Sequence, residues 1–293
     1  MMMFGYLLAS GITTGALYAL VALGITVVYK ATRSVNFAHG DLFMIGGFIA
    51  YTFHVMWGLP YVVALLLAVA AGFAIGAVVE RLAFRPLRDQ GLVSLLLAAI
   101  GLSFILKGTA RAVWGGKGDF IPFPPIATPS PISVGGILVV PQQLIVLAGA
   151  IAVMAIFAGF FKFTKLGRMM QATADNAKAA KLVGIPVNRT IAVAFALGAV
   201  LSGIAGLLVA PIFLAEPTMG GSLGLKGFVV SVIGGFGNLP GAVIGGMCLG
   251  LIETFGARYI SSDFRDAYAF IVMIGFLIAW PRGLFGEKAS EKV

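Results

Sequence analysis

Long apolar runs alternate with short polar segments along almost the whole chain. A helix needs about 20 mostly apolar residues to cross the hydrocarbon core of a bilayer, and eight runs approach or exceed that length. A ninth run is shorter and fits either a further span or a broken, re-entrant segment. The pattern predicts an all-α, polytopic membrane protein with about eight or nine transmembrane helices in one domain, 1–293. The eight runs are 6–29, 40–57, 60–80, 91–107, 141–163, 190–213, 240–258 and 266–281, and the ninth is 226–237.

The composition agrees with a bilayer environment. Hydrophobic residues make up 60% of the chain and charged residues 11%, whereas soluble domains have about 45–50% and about 25%. The 40 glycines fit helices that approach one another closely within lipid. One cysteine and two histidines are too few for a disulfide framework or a structural zinc site. We therefore expect no metal and no cofactor.

The net charge of +9 comes from basic residues in short segments between apolar runs, which favours a topology signal over nucleic-acid binding. Fourteen of the 20 basic residues lie in four segments, 30–39, 81–90, 162–189 and the C-terminal tail. Cytoplasmic loops carry an excess of Lys and Arg, so these segments are predicted to be cytoplasmic. The other six basic residues are placed on the opposite side or at span ends; they are Lys107, Arg111, Lys117, Lys226, Arg258 and Arg265.

Two connecting segments carry functional hypotheses. The external segment 108–140 is rich in proline and is predicted to be extended and non-helical. It would form either a rigid cap over a pore mouth or a docking surface for an external partner. The cytoplasmic segment 164–189 is predicted to contain a short helix with Asp175 as N-cap, Gly184 at the left-handed C′ position and Pro186 blocking continuation.

That cytoplasmic helix is either an amphipathic knob that receives force from a soluble motor or a solvated, positively charged loop. The residues assigned to coupling on the first interpretation are Arg168, Gln171, Asp175, Lys178, Lys181 and Gly184. No P-loop and no Gly-x-Ser-x-Gly elbow is present, so any ATP hydrolysis would come from a separate chain. We therefore expect a non-catalytic subunit with no catalytic residues.

Polar residues near the spans form a second group of candidates. Asn36, His39, Gly40 and Asp41 either shape a gate at the cytoplasmic end of a translocation path or start a helix with Asn36 as N-cap. Glu253 is either an ion site or a residue paired with a polar neighbour on another helix. Glycines four residues apart are assigned to helix packing; they are Gly237, Gly241 and Gly245.

Four motifs in order give the chain a family resemblance. They are the segment 15–24 followed by Asn36-Phe-Ala-His-Gly40, then Gly167-Arg168 with 175–185, the glycine-rich stretch 228–246, and the ending 281–286. In these motifs the sequence resembles the permeases of branched-chain amino acid ABC importers, the LivH-type subunits. The resemblance covers almost the whole chain.

The resemblance implies a multi-pass subunit in a bacterial inner membrane that translocates branched-chain or related hydrophobic amino acids. It implies a second homologous permease, two cytoplasmic ATP-binding subunits and an extracytoplasmic solute-binding protein as partners. Because no charge cluster is apparent within the spans, we expect a weakly binding path. The alternatives are a permease for urea or short amides, an ion-coupled secondary transporter using Glu253 or Asp41, and a channel.

Overall fold

The computed structural model describes residues 2–88, 90–115, 121–127, 130–134, 137–213 and 216–286. This part of the chain is mainly α-helical, with one two-stranded antiparallel sheet. Two π-helical turns, Thr52–Met56 and Glu80–Phe84, extend the second and third helices. The helices are α1 Met2–Thr32, α2 His39–Tyr51, α3 Tyr61–Val79, α4 Leu92–Trp114, α5 Pro141–Phe163, α6 Lys165–Asp175, α7 Ala177–Leu182, α8 Val187–Phe213, α9 Met219–Gly234, α10 Leu239–Tyr259 and α11 Arg265–Ala279; the strands are β1 Ile132–Val134 and β2 Ile137–Val139.

The predicted all-α membrane architecture is confirmed. Six helices of the described chain are long and apolar enough to cross a membrane, namely α1, α3, α4, α5, α8 and α10. The other apolar helices, α2, α9 and α11, have 13, 16 and 15 residues. The ambiguous run at 226–237 lies mostly in α9, which is separated from α10 by a turn. Each of the eight longer runs contains one helix.

The helices divide into a central group and a peripheral group. In α1 and α8, 94% and 78% of the most apolar stretch is buried inside the protein. The corresponding shares are 28% for α3, 11% for α4 and 28% for α5, although each of these helices is more apolar than α1. Broad apolar faces are unfavourable in water, so the exposed faces of the peripheral helices are suited to contact with lipid.

Small residues bring the central helices together. Gly246 and Gly250 of α10 lie against the backbone of α1 at Gly15, and a Cβ on either would collide with that backbone. Close backbone approach maximises van der Waals contact between helices, which is needed in lipid because hydrophobic burial supplies little driving force there. α1 is consequently held between α10 and α8.

The external segment differs from its prediction as a wholly non-helical stretch. α4 continues to Trp114, so its last turns occupy residues assigned to the loop, and β1 and β2 form a hairpin with Ile132 opposite Val139. Trp114 Nε1 donates a hydrogen bond to Thr52 Oγ1 at 2.9 Å, which ties the end of α4 to α2. Residues 116–120, 128, 129, 135 and 136 of this segment lie outside the described residues. So do Lys288 and Lys292 of the tail.

Candidate functional site

The predicted coupling segment forms two helices instead of one. The Thr164 side chain accepts a hydrogen bond from the Gly167 N–H and begins α6, which the sequence interpretation missed. Asn176, and not Asp175, is the N-cap of α7, because its side chain accepts from the Ala179 N–H at 3.0 Å. Asp175 is the last residue of α6. The correction shifts the helix start by one residue.

The end of α7 follows the predicted geometry. Gly184 has φ of +83° and nothing lies within 4 Å of the position that a Cβ would take there. A left-handed residue at this point ends the helix and turns the chain into α8. The conformation, and not lack of space, therefore makes glycine the favoured residue.

The helix pair α6–α7 has one anchored face and one free face. Met170 is fully buried, and Thr173 and Ala180 are also buried. Asp175 bonds Arg33 at the end of α1, at 3.0 Å. Leu182 is 89% exposed at the free tip. The candidate residues Arg168, Asp175, Lys178, Lys181 and Gly184 are exposed, and Gln171 is half-buried.

A cavity lies where the end of α6 and the start of α7 meet the membrane helices. It has a volume of about 350 Å³ and is lined by the end of α1, the segment 32–36, the end of α6 and the start of α8. Arg88 lines it and bonds the buried carboxylate of Glu80 at 2.5 Å. The pair α6–α7 thus packs on the membrane helices through its buried face and borders the cavity around the junction between α6 and α7.

The polar motif before α2 lies inside the helix assembly. The Asn36 side chain accepts a hydrogen bond from the Ala38 N–H at 3.0 Å, and α2 begins at His39 with Ala38 in the cap position. The alternative with Asn36 as N-cap is therefore wrong by two residues. His39 Nε2 lies 2.8 Å from Ser202 Oγ, close to the middle of α8. The motif consequently reaches deeper than an interfacial turn.

Gly40 marks the contact between two helices that begin near each other. A Cβ on Gly40 would collide with the backbone of Gly220 and Gly224 in the first turns of α9. Asp41 follows in the first turn of α2, 2% exposed, and its Oδ1 lies 3.6 Å from Lys107 Nζ of α4. The starts of α2 and α9 and one face of α4 therefore meet.

A pocket of about 150 Å³ lies at this meeting point, and we call it the α2–α9 pocket. It combines polar residues of the motif with Lys107 and with apolar side chains. The lining residues are Ile25, Val35, Asn36, Phe37, His39, Gly40, Asp41, Ser103, Lys107, Gly221, Gly224, Leu225 and Phe228.

Glu253 belongs to a second, separate cluster. It is fully buried in α10 and accepts a hydrogen bond from Tyr18 Oη at 2.6 Å. Lys226 Nζ of α9 lies 3.0 Å from Glu253 Oε1 and 2.9 Å from Asp266 Oδ1. Arg265 Nε lies 3.6 Å from Glu253 Oε2. Glu253 is thus paired with partners from three other helices.

The three packing glycines do not share one role. Gly237 lies in the turn between α9 and α10 with φ of +84°, so it is not part of the helical packing pattern. Gly241 lies against Gly234, and Gly245 lies beside the Val230 carbonyl of α9. Gly241 and Gly245 bring α9 and α10 together, whereas Gly237 allows the turn.

The sequence interpretation missed two cations within the helix assembly. Lys107 and Lys226 had been placed externally or at span ends, but Lys226 is only 8% exposed and Lys107 contacts the buried Asp41. The expectation that the spans hold no charge cluster is therefore wrong. Each cation lies in an apolar run, and its acidic partner lies on a different helix. The sequence pattern therefore does not show that the two residues form a pair. Among the described residues, no three His, Cys, Asp or Glu side chains form a metal-binding group.

The architecture defines a class, a multi-pass α-helical membrane protein. The PsaBC structure from Streptococcus pneumoniae superposes with a TM-score of 0.51, covering 94% of this chain and 91% of that chain at 13% identity. That likeness concerns the fold alone.

The family follows from sequence comparison. The family described as branched-chain amino acid transport system / permease component matches residues 7–279. The high-affinity branched-chain amino acid transport permease protein BraD of Pseudomonas aeruginosa is 35% identical over 98% of this chain and 97% of its own length. LivH of Escherichia coli K12 is 32% identical over 97% and 96%. The chain belongs to this family of ABC transporter permease subunits.

Proposed function

We propose that this chain is the membrane-spanning permease subunit of an ATP-driven importer for branched-chain amino acids, located in a bacterial inner membrane. The carrying observation is the similarity to high-affinity branched-chain amino acid permeases over nearly the full length of both chains. The proposal includes a second permease, two ATP-binding subunits and a solute-binding protein as partners. On this proposal, the two charge clusters and the helix pair α6–α7 belong to a translocation pathway whose motion is driven by the cytoplasmic ATP-binding subunits.

The helix pair α6–α7 is the proposed contact for an ATP-binding subunit. The exposed apolar residues Leu182 and Val183 at its tip, 89% and 77% exposed, are flanked by Lys178 and Lys181. An apolar tip within a basic surface suits a groove on a soluble partner, since buried apolar anchors dominate interface energies. The buried side chain of Met170 and the Arg33–Asp175 contact supply the path by which motion reaches α1.

The position of Glu253 favours this proposal over an ion-coupled carrier. Its carboxylate already has Tyr18 and Lys226 as partners, and Arg265 is close. A coupling-ion site must release its ion in each cycle, whereas a carboxylate with a fixed cation next to it has little affinity for a second one.

The test uses the complete importer reconstituted in proteoliposomes, with uptake of radiolabelled leucine, isoleucine and valine measured with and without ATP. We expect saturable, ATP-dependent uptake of the three amino acids and no such uptake of urea. Gly184→Val should abolish coupling because a β-branched residue resists positive φ, whereas Gly184→Asn, which tolerates that region, should retain most of it. Uptake by the permease alone, driven by a proton or sodium gradient, would contradict the proposal; so would urea uptake without leucine uptake.

A further inference from the structure

The α2–α9 pocket contains buried polar atoms that the described chain leaves without hydrogen-bond partners. These atoms are Asn36 Nδ2, His39 Nδ1 and Asp41 Oδ1, and all three residues are at least 97% buried. Burying an unpaired polar group is costly, so such groups rarely gather in one place without a ligand or water to satisfy them. One amide donor, one carboxylate acceptor and one imidazole nitrogen of either role therefore remain available in a single pocket.

The charges of the pocket are of both signs. Asp41 is 2% exposed, and Lys107 Nζ lies 3.6 Å from its Oδ1, which is too far for a hydrogen bond. The side chain of Lys107 is 30% exposed, whereas the carboxylate of Asp41 is enclosed. The two groups form a loose ion pair, and each keeps the capacity for a hydrogen bond to a small polar ligand.

The backbone adds a further preference. α2 and α9 both begin beside the pocket, and their first turns touch through Gly40 and Gly224. Helix N-termini carry a partial positive charge and favour anions. In membrane transporters, short helices that start inside the bilayer direct their N-termini toward anionic substrate groups. The N-terminus of α2 already holds the carboxylate of Asp41, so the N-terminus of α9, which has no acidic residue in its first turn, is the part of the pocket suited to a substrate carboxylate.

The remaining wall is apolar. Phe37, Leu225, Phe228 and Ile25 line it, and the rings of Phe37 and Phe228 pack in a tilted arrangement with centroids 5.3 Å apart. Phe37 and Leu225 are 44% and 46% exposed, so this wall also borders the opening. A ligand that satisfies every feature has one cationic group, one carboxylate and a short aliphatic chain.

We propose that the α2–α9 pocket is a transient binding site for the zwitterionic head group of the transported amino acid. Asp41 accepts hydrogen bonds from the α-ammonium group, while Lys107 and Asn36 donate to the α-carboxylate. The apolar wall holds the branched side chain. This assignment rests on the proposed function and extends it, since it places substrate recognition inside the permease in addition to any binding protein.

The first arm of the test uses the wild-type importer complex in nanodiscs without a solute-binding protein. Saturation-transfer NMR measures the binding of L-leucine, with two analogues as competitors. 3-Methylbutylamine lacks the carboxylate, and 4-methylpentanoate lacks the ammonium group. We expect isoleucine to displace leucine and both analogues to compete at least about tenfold more weakly, because each loses one charge-assisted interaction. Competition by both analogues that is as strong as competition by isoleucine would overturn the site.

The second arm uses Lys107→Gln, which removes the cation, and Lys107→Arg, which keeps it. Arg111→Gln is the matched control, since it lies one turn further along α4 and is exposed. We expect about tenfold weaker leucine binding for Lys107→Gln and near wild-type binding for the other two. If the Lys107→Gln complex does not assemble, leucine binding by the Asp41→Asn complex and competition by the two analogues decide whether the site exists. Unchanged leucine binding in Lys107→Gln with intact ATP-driven uptake contradicts only the site, whereas absence of leucine uptake by the wild-type complex contradicts the proposed function.

Discussion

Single glycines decide how closely the helices of this permease approach. At Gly40 the backbone of α2 touches that of α9, and a Cβ would overlap the backbone of Gly224. Backbone atoms cannot rotate away as a flexible side chain can, so the helices themselves would have to separate. Gly101 in α4, in contrast, has nothing within 4 Å of the position of a Cβ. The two glycines therefore have different structural consequences in similar helical settings.

We expect Gly40→Ala to lower stability and Gly101→Ala to leave it unchanged or raise it. Overpacking a tight contact costs about 1–3 kcal/mol of stability. Replacing glycine by alanine at an open helical position raises stability by about 0.5–1 kcal/mol. Thermal unfolding of the purified protein in detergent, followed by tryptophan fluorescence, measures both. Equal shifts in the two variants would show that the contact between α2 and α9 does not exist in the membrane protein.

At the scale of elements, a group of charged side chains around the buried Glu253 connects α9, α10 and α11. Lys226 of α9 links Glu253 of α10 to Asp266 of α11, and Tyr18 of α1 completes the group. Charged side chains inside a membrane protein face one another because lipid offers no compensation. The cluster thereby helps to fix the relative positions of four helices. Two of them, α9 and α11, have only 16 and 15 residues, so they are short for a membrane span.

We expect Lys226→Met to destabilise the protein by on the order of 3 kcal/mol, because Glu253 then remains buried without its nearest cation. The double variant Lys226→Met with Glu253→Gln should recover part of that loss, since no uncompensated charge remains. Asp175→Asn serves as the control, because its partner Arg33 and Asp175 are both well exposed and such pairs contribute about 0–1 kcal/mol. Strict additivity of the Lys226 and Glu253 effects in a double-mutant cycle would contradict the pairing.

At the scale of the whole molecule, the distribution of basic residues and the helix order together predict which ends face the cytoplasm. The helix pair α6–α7 and the turn after α3 carry half of the exposed basic residues of the described chain, and the β-hairpin lies on a connection at the opposite ends of α4 and α5. The excess of Lys and Arg predicts that the first side is cytoplasmic. On that prediction the hairpin faces outward, toward the proposed solute-binding protein.

We expect single cysteines at Val183 and Ser133 to be labelled from opposite sides by a membrane-impermeant maleimide. Cys248 is the one cysteine of the chain and is replaced by serine beforehand, since it is partly accessible. Val183→Cys should react only in inside-out vesicles and Ser133→Cys only in intact spheroplasts. Both positions are exposed, so lack of access does not explain a negative result. Labelling of both from one side would contradict the orientation.

The sequence by itself determined the class, the family and most helix positions. Apolar runs near 20 residues have no stable alternative to membrane helices, because their backbone groups must bond internally in lipid. Local signals were also sufficient at Gly184, where a capped helix must end before Pro186. The N-cap at Asn176 was misassigned by one residue because adjacent Asp and Asn have nearly equal capping preferences.

The tertiary structure alone decided which polar residues work together. Asp41 meets Lys107, and Lys226 meets Glu253, across sequence separations that no periodicity connects. A lone cation in an apolar run looks the same whether it reaches the interface or pairs inside, since its long side chain permits both. The packing of α2 against α4 and of α9 against α10 brings the partners within reach, and the α2–α9 pocket lies where α2, α4 and α9 meet.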